Sequence, residues 1–207
     1  MTARVPDAYF DHMYAASADP WDLASRWYEE RKYAITLAML PQQRYRHAFE
    51  PGCSIGTLTE RLTDRCDRVT ATDVATAALV GADRRLRDVG RREQVTLLQQ
   101  SLDQPWPPGN FDLLVLSEVG YYLRAHTLRE VLDRECLRLA KGATIVAAHW
   151  RHPVDDHPIS GDHANKVIAA TPGLHQIGSY RDADVAIDVF DTANPASVAW
   201  RHGVPGA

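Results

Sequence analysis

Two rhythms of apolar and polar residues divide this chain. A short apolar run, His47-Ala48-Phe49, ends in Glu50, turns through Pro51 to Gly56, and gives way to a helical spacing at Leu58, Leu62 and Cys66. That order predicts strand, tight turn, helix, the opening of a nucleotide-binding α/β unit. The unit then repeats. Arg68–Thr72 reads as a second strand closed by Asp73, and Ala75–Gly90 as a helix with Leu79, Ala82 and Leu86 inward; its arginines 84, 85 and 87 read as a solvated face. Val95–Gln99 reads as strand three and Phe111–Leu116 as strand four, with the Pro- and Gly-rich loop 104–110 between them. Thr127–Ala140 follows as a helix, then Ala143–Ala148 as strand five, with His149 and Trp150 at its tip. The polar stretch 151–165 is irregular, a helix begins at Lys166, and 174–181 and 185–191 alternate as an antiparallel hairpin.

Residues 1–40 are aromatic-rich and helical in pattern. Trp27, Tyr28, Arg31, Ile35, Leu37 and Met39 predict one amphipathic helix ending near Pro41. Alternating strands and helices imply an α/β fold with a mostly parallel sheet. The expected division is a helical cap over 1–45, a core domain over 46–192 and a tail over 193–207.

The turn after the first strand carries the chemistry. Gly52 and Gly56 permit a sharp reversal and a close ligand approach. Asp73, at the tip of strand two, is placed to accept both hydroxyls of a ribose. A dinucleotide fingerprint needs glycines at the first, third and sixth positions, whereas Ser54 and Thr57 stand at the third and sixth here. A nicotinamide-dependent reductase is therefore disfavoured. Tyr28 and Lys32 have the spacing its catalysis would need, but they precede the first strand.

Composition narrows the field. With 207 residues, 45% hydrophobic, and a net charge of −4, the chain reads as one globular domain and not as a nucleic-acid binder. No apolar stretch is long enough to span a membrane, and residues 1–10 lack a signal-peptide core. Three cysteines with no metal-ligand spacing suggest a reduced, cytoplasmic setting. The histidines and aspartates of 151–165 read as a substrate-facing loop rather than a metal site, because no i, i+4 histidine pair occurs.

The pattern Glu50-x-Gly52-x-x-x-Gly56 resembles motif I of class I S-adenosylmethionine (SAM)-dependent methyltransferases, with Ser54 replacing the middle glycine. The resemblance implies a Rossmann-like fold with a seven-stranded sheet, parallel except for an antiparallel seventh strand. It implies SAM as cofactor and S-adenosylhomocysteine as product, held by Glu50, Gly52, Ser54, Gly56 and Asp73. Ser101 and Leu102 would meet the adenine edge, and Ser117 opens Ser117-Glu118-Val119-Gly120-Tyr121-Tyr122-Leu123, which is similar to motif IV of small-molecule methyltransferases. Asp19-Pro20-Trp21, Tyr28-Glu29-x-x-Lys32-Tyr33 and the two motifs together resemble the nodulation protein S family, which N-methylates an amino-sugar oligosaccharide.

That resemblance implies a small-molecule acceptor, an amino sugar or another small amine, with no nucleic-acid or membrane partner and an open oligomeric state. A small-molecule O-methyltransferase is the enzymatic alternative, and a non-catalytic SAM-binding protein the alternative of another class. Catalysis would rest on holding the acceptor in line and relieving its proton. His149, which titrates near neutral pH, and Glu118 are the expected catalytic residues. Tyr28, Lys32, Tyr121, Tyr122 and His152 are the expected acceptor contacts. Against each stands a plainer role in packing or capping.

Overall fold

The computed structural model describes residues 4–193 and 195–206; Met1–Ala3 of the N-terminal readings and Asn194 and Ala207 of the tail lie outside them. Two helices, α1 (Asp7–Ala16) and α2 (Trp27–Ala38), precede the sheet. Then β1 (Tyr45–Pro51), α3 (Thr57–Thr63), β2 (Cys66–Asp73), α4 (Thr76–Asp88), β3 (Val95–Gln99), β4 (Leu113–Ser117), α5 (Ala125–Glu135) and β5 (Thr144–Trp150) alternate as the periodicity predicts. After them come α6 (Gly161–Ala169), β6 (His175–Arg181), β7 (Val185–Asp191) and the short α7 (Val198–Arg201). Cys66, expected on the face of the first helix, opens β2 instead.

The seven strands lie in the order β3-β2-β1-β4-β5-β7-β6. Strands β1 to β5 pair in parallel, and β7 runs antiparallel to both β5 and β6. Order reverses between β1 and β4, which opens a crevice at the carboxyl ends of the strands. Both sheet faces are covered, so β4 (Leu113, Leu114, Val115, Leu116) is buried throughout, as a parallel strand between two helical layers must be. One core cluster joins Tyr33, Leu58, Leu62 and Leu86 to the sheet; the other joins Leu128, Leu132 and Ile168 to its opposite face.

The inward face of α2 departs from the predicted one. Trp27 is 73% exposed, whereas Glu29, Lys32, Tyr33 and Thr36 are buried. The fifth strand also extends two residues further than its apolar run. His149 pairs with Ala186 and Trp150 with Val185 of β7. No helix among the described residues is long and apolar enough to cross a membrane.

Candidate functional site

A cavity of about 670 Å³ opens where the carboxyl ends of β1, β2 and β4 meet α1 and α2. One end is built from backbone. Gly52, Ser54 and Gly56 all hold positive φ (73°, 52° and 78°), so the β1–α3 turn folds tightly, with the Gly52 and Cys53 amides bonded to Thr72 O of β2. Ser54 N donates to Asp73 Oδ2 at 2.9 Å and Ala75 N to Asp73 Oδ1 at 3.0 Å. Burial pushes the Asp73 carboxyl up, and those backbone donors pull it back. Gly52, Ser54, Asp73, Ser101, Leu102 and Ser117 all line the cavity. Gly56 does not: a Cβ there would meet the Ala82 backbone at 3.1 Å, so it serves the packing of α3 on α4.

Glu50 also lines the cavity, fully buried, and accepts from Thr59 Oγ1 at 2.6 Å. Burial lifts its pKa to about 8. A raised carboxyl pKa favours the fold below the ordinary carboxylate range and loses that contribution as pH rises through 8. Glu50→Gln should therefore gain thermal stability relative to the parent between pH 5 and pH 9. Melting curves that shift equally at both pH values would show Glu50 to be ionised in the fold.

The other end is aromatic and charged. Lys32, 1% exposed, places Nζ 2.7 Å from Glu118 Oε1 and 2.8 Å from Glu29 Oε2, the latter an ion pair without hydrogen-bond geometry. Glu118, itself at φ 55°, takes two further bonds on Oε2, from Tyr121 Oη at 2.7 Å and Trp150 N at 2.8 Å. It thereby ties α2, the turn after β4 and the end of β5 together. Burial opposes its charge, but Lys32 and the other donors prevail and hold its pKa below the usual value. The Tyr28 hydroxyl is buried beside this group with no hydrogen-bond partner, its ring edge-on to Trp150 at 5.2 Å. Tyr28, Lys32, Tyr121 and Tyr122 all face the cavity.

The cavity is covered from the N-terminal side. The Tyr14 hydroxyl hydrogen-bonds Ser54 Oγ, Val5 N donates to Tyr122 O at 2.9 Å, and Arg4 reaches Asp103 at 3.1 Å. Phe10 meets Tyr122 edge-on at 4.9 Å.

The histidine expected to do proton chemistry is elsewhere. Because β5 continues through it, His149 points to the α6 face, 0% exposed and off the cavity. Its Nδ1 lies 2.6 Å from Asn165 Oδ1, and its Nε2 lies 3.0 Å from the donating Gly120 N. Both nitrogens are thus committed in a neutral ring, burial lowers its pKa, and Asn165 passes the network on to Asp188 at 2.7 Å. These bonds brace β5 against the turn after β4 and α6. His152 also misses the cavity: it is exposed, with Nε2 2.7 Å from Asp184. The loop does supply one histidine, His157, which lines the cavity and stacks on Tyr121 with centroids 4.1 Å apart. Nothing in its sequence neighbourhood set it apart from His152 or His163.

The chain can now be compared with known proteins. The family model described as Nodulation protein S (NodS) matches residues 11–154. The chain belongs to the nodulation protein S family. Nodulation protein S of Rhizobium tropici is 34% identical over 109 residues, 52% of this chain and 44% of that protein. That of Bradyrhizobium diazoefficiens is 35% identical over 107 residues, 51% and 50% respectively. The chain therefore spans about half the length of the curated relatives it matches. A solved structure from Pseudomonas syringae is 35% identical, with TM-score 0.65, over 80% of this chain and 99% of its own. The N-methyltransferase NodS of Bradyrhizobium japonicum WM9, solved with S-adenosyl-L-homocysteine, is 24% identical with TM-score 0.77, over 89% and 97%. The class I methyltransferase fold follows from these likenesses and the strand order.

The nodulation protein S match begins within α1, takes in α2, the β1–α3 turn and the end of β5, and stops three residues before His157. Among the described residues no group of three or more His, Cys, Asp or Glu is arranged to hold a metal ion.

Proposed function

We propose that this chain is a SAM-dependent methyltransferase whose acceptor is the nitrogen of a small amine, an amino sugar being the first to test. The carrying observation is Asp73: each of its oxygens takes one backbone amide and keeps lone pairs for the two hydroxyls of a ribose. Gly52 and Ser54 would hold the amino-acid end of SAM, with Glu50 beneath, and Ser101 and Leu102 the adenine. When bound, SAM supplies an electrophilic methyl group and leaves as S-adenosylhomocysteine. The chain's own task is placement and the exclusion of water. In this reading residues 1–45 act as the cap, 46–192 as the methyltransferase domain and 193–207 as a tail.

Glu118 would not touch the acceptor's proton; three donors occupy it, and its work is to fix Lys32, Tyr121 and Trp150 around the acceptor. Tyr28, with a buried unpartnered hydroxyl, would contact the acceptor directly. Membership of the nodulation protein S family, one of whose proteins is described as an N-methyltransferase, favours nitrogen over oxygen. A net charge of −4 and three free cysteines are in keeping with a cytoplasmic enzyme that does not act on nucleic acid.

Calorimetry should give micromolar binding of SAM and S-adenosylhomocysteine and none of NAD(H). Labelled SAM offered with amino sugars, simple amines and phenols then separates the alternatives. Methylated phenol alone would mean an O-methyltransferase, and binding without any turnover a non-catalytic SAM-binding protein.

A further inference from the structure

With His149 and Glu118 committed to the framework, the acceptor end of the cavity needs another group for the proton. We propose that His157 takes a proton from the acceptor ammonium and delivers it to water through the pocket on its other side. This rests on the amine reading above.

Three features place His157 there. Its ring is fixed between aromatics, stacked on Tyr121 at 15° and edge-on to Tyr122 at 4.9 Å, and Tyr121 is itself anchored to Glu118. Neither ring nitrogen makes a hydrogen bond to any described residue, so both are open to a ligand or water. The ring also lines two hollows. One is the cavity already described; the other is a polar pocket of about 430 Å³ bordered by the exposed His126, Asp155 and Asp156. A single imidazole thus borders both the cavity and a polar pocket that leads to water.

The charged surroundings suit a neutral base. Burial lowers the His157 pKa, and Glu118 and Asp156 oppose that shift only in part. Tyr9, Tyr121 and Tyr122, the hydroxyl groups around the ring, all have raised pKa values and stay neutral, as does the buried His149 ring behind Tyr121. At pH 7 the ring is therefore unprotonated and can accept.

The balance is simple. The acceptor enters as R–NH3+ and gives one proton to a ring nitrogen of His157, becoming R–NH2. Its lone pair forms the new N–C bond as the methyl's bond to sulfur breaks, and sulfur keeps that electron pair. The product leaves as the methylated ammonium, and the imidazolium releases its proton to water past Asp155 and Asp156. One proton reaches solvent per turnover.

The test uses glucosamine as acceptor with labelled SAM between pH 5.5 and 9. His157→Gln should lower kcat at pH 7 by about 10²-fold, the lower end of what a positioned base contributes. The deficit should shrink toward pH 9, where the amine arrives already neutral. Imidazole in the buffer should restore part of the rate to His157→Ala, which a merely structural ring would not allow. Independently of turnover, the ring NMR signal absent from His157→Gln should shift when glucosamine is added to the protein loaded with S-adenosylhomocysteine. Both variants should bind S-adenosylhomocysteine within about twofold of the parent. If the parent methylates glucosamine and His157→Gln matches it at pH 7, or the ring signal does not move, the proposal fails alone. If the parent binds S-adenosylhomocysteine and methylates no amine, the amine reading fails and takes the proposal with it.

Discussion

Lys32→Met is expected to cost about 3–5 kcal/mol of stability, because it leaves carboxylates buried without their cation. Lys32 is the ammonium between Glu29 and Glu118, at 2.8 and 2.7 Å, with a side chain only 2% exposed. Burial works against its charge, but the two carboxylates outweigh it and raise its pKa. The paired arrangement gives little over an apolar one of the same shape, whereas the broken pair is strongly unfavourable. For a chain of this size the loss corresponds to a fall in Tm of about 6–20 °C.

Its pH dependence has a definite sign. In the parent, Glu118 is held below the ordinary carboxylate range, so its contribution is present above that range and lost as pH falls through the lowered value. In Lys32→Met that contribution is gone, so the gap between variant and parent should narrow at acid pH. The triple change Lys32→Met, Glu29→Gln, Glu118→Gln should recover much of the loss. Urea melts at pH 8 and at a pH below the ordinary carboxylate range read all three results. A gap of under 1 kcal/mol at pH 8 would show that water reaches the carboxylates and that this group is not the joint between α2 and the sheet.

The inward face of α2 follows from the same charges. Apolar spacing grouped Trp27 with Ile35, Leu37 and Met39; the last three pack on the core, but Trp27 does not. Lys32 lies on the cavity side with Tyr28 as their spacing suggests, and Glu29 is buried with it because the ammonium pairs with both Glu29 and Glu118, 86 residues on from Lys32. No local pattern reports a partner that distant. His149 was lost differently. The apolar run ends at Ala148, but β7 supplies backbone partners for two more residues, and alternation then sends His149 to one face and Trp150 to the other. Two further paired residues turn an expected tip histidine into one held on a face of the sheet.

What was legible was local or periodic. The β1–α3 turn needs positive φ at Gly52 and Gly56, and glycine announces that need in the sequence. The mostly parallel sheet followed from strands alternating with helices, and its antiparallel end from the closing hairpin. Ser54 at φ 52° shows the limit of such reading: a serine accepts the strained turn because its amide is held by Asp73 and its hydroxyl by Tyr14.

Asp73→Ala should weaken S-adenosylhomocysteine binding about 5- to 150-fold, the loss of about 1–3 kcal/mol for two ribose hydroxyls left unpaired in a buried site. Asp73 has a second duty, since its oxygens also fix the amides of Ser54 and Ala75. Part of any loss could therefore come from a loosened turn. Asp73→Asn grades the two. It keeps one acceptor oxygen and the shape of the side chain, but replaces the other acceptor with a donor facing another donor. It should bind more weakly than the parent and melt below it, since one turn amide loses its acceptor, whereas Asp73→Ala frees both amides and should lose more of each. A 2′,3′-dideoxyribose analogue of S-adenosylhomocysteine gives the complementary arm: lacking both hydroxyls, it should lose less affinity from parent to Asp73→Ala than the full ligand does, and any loss that remains belongs to the turn. Titration calorimetry on the three proteins with both ligands completes the cycle. Equal affinity of parent and Asp73→Ala for the full ligand would mean that the ribose is held elsewhere and that Asp73 only braces the turn.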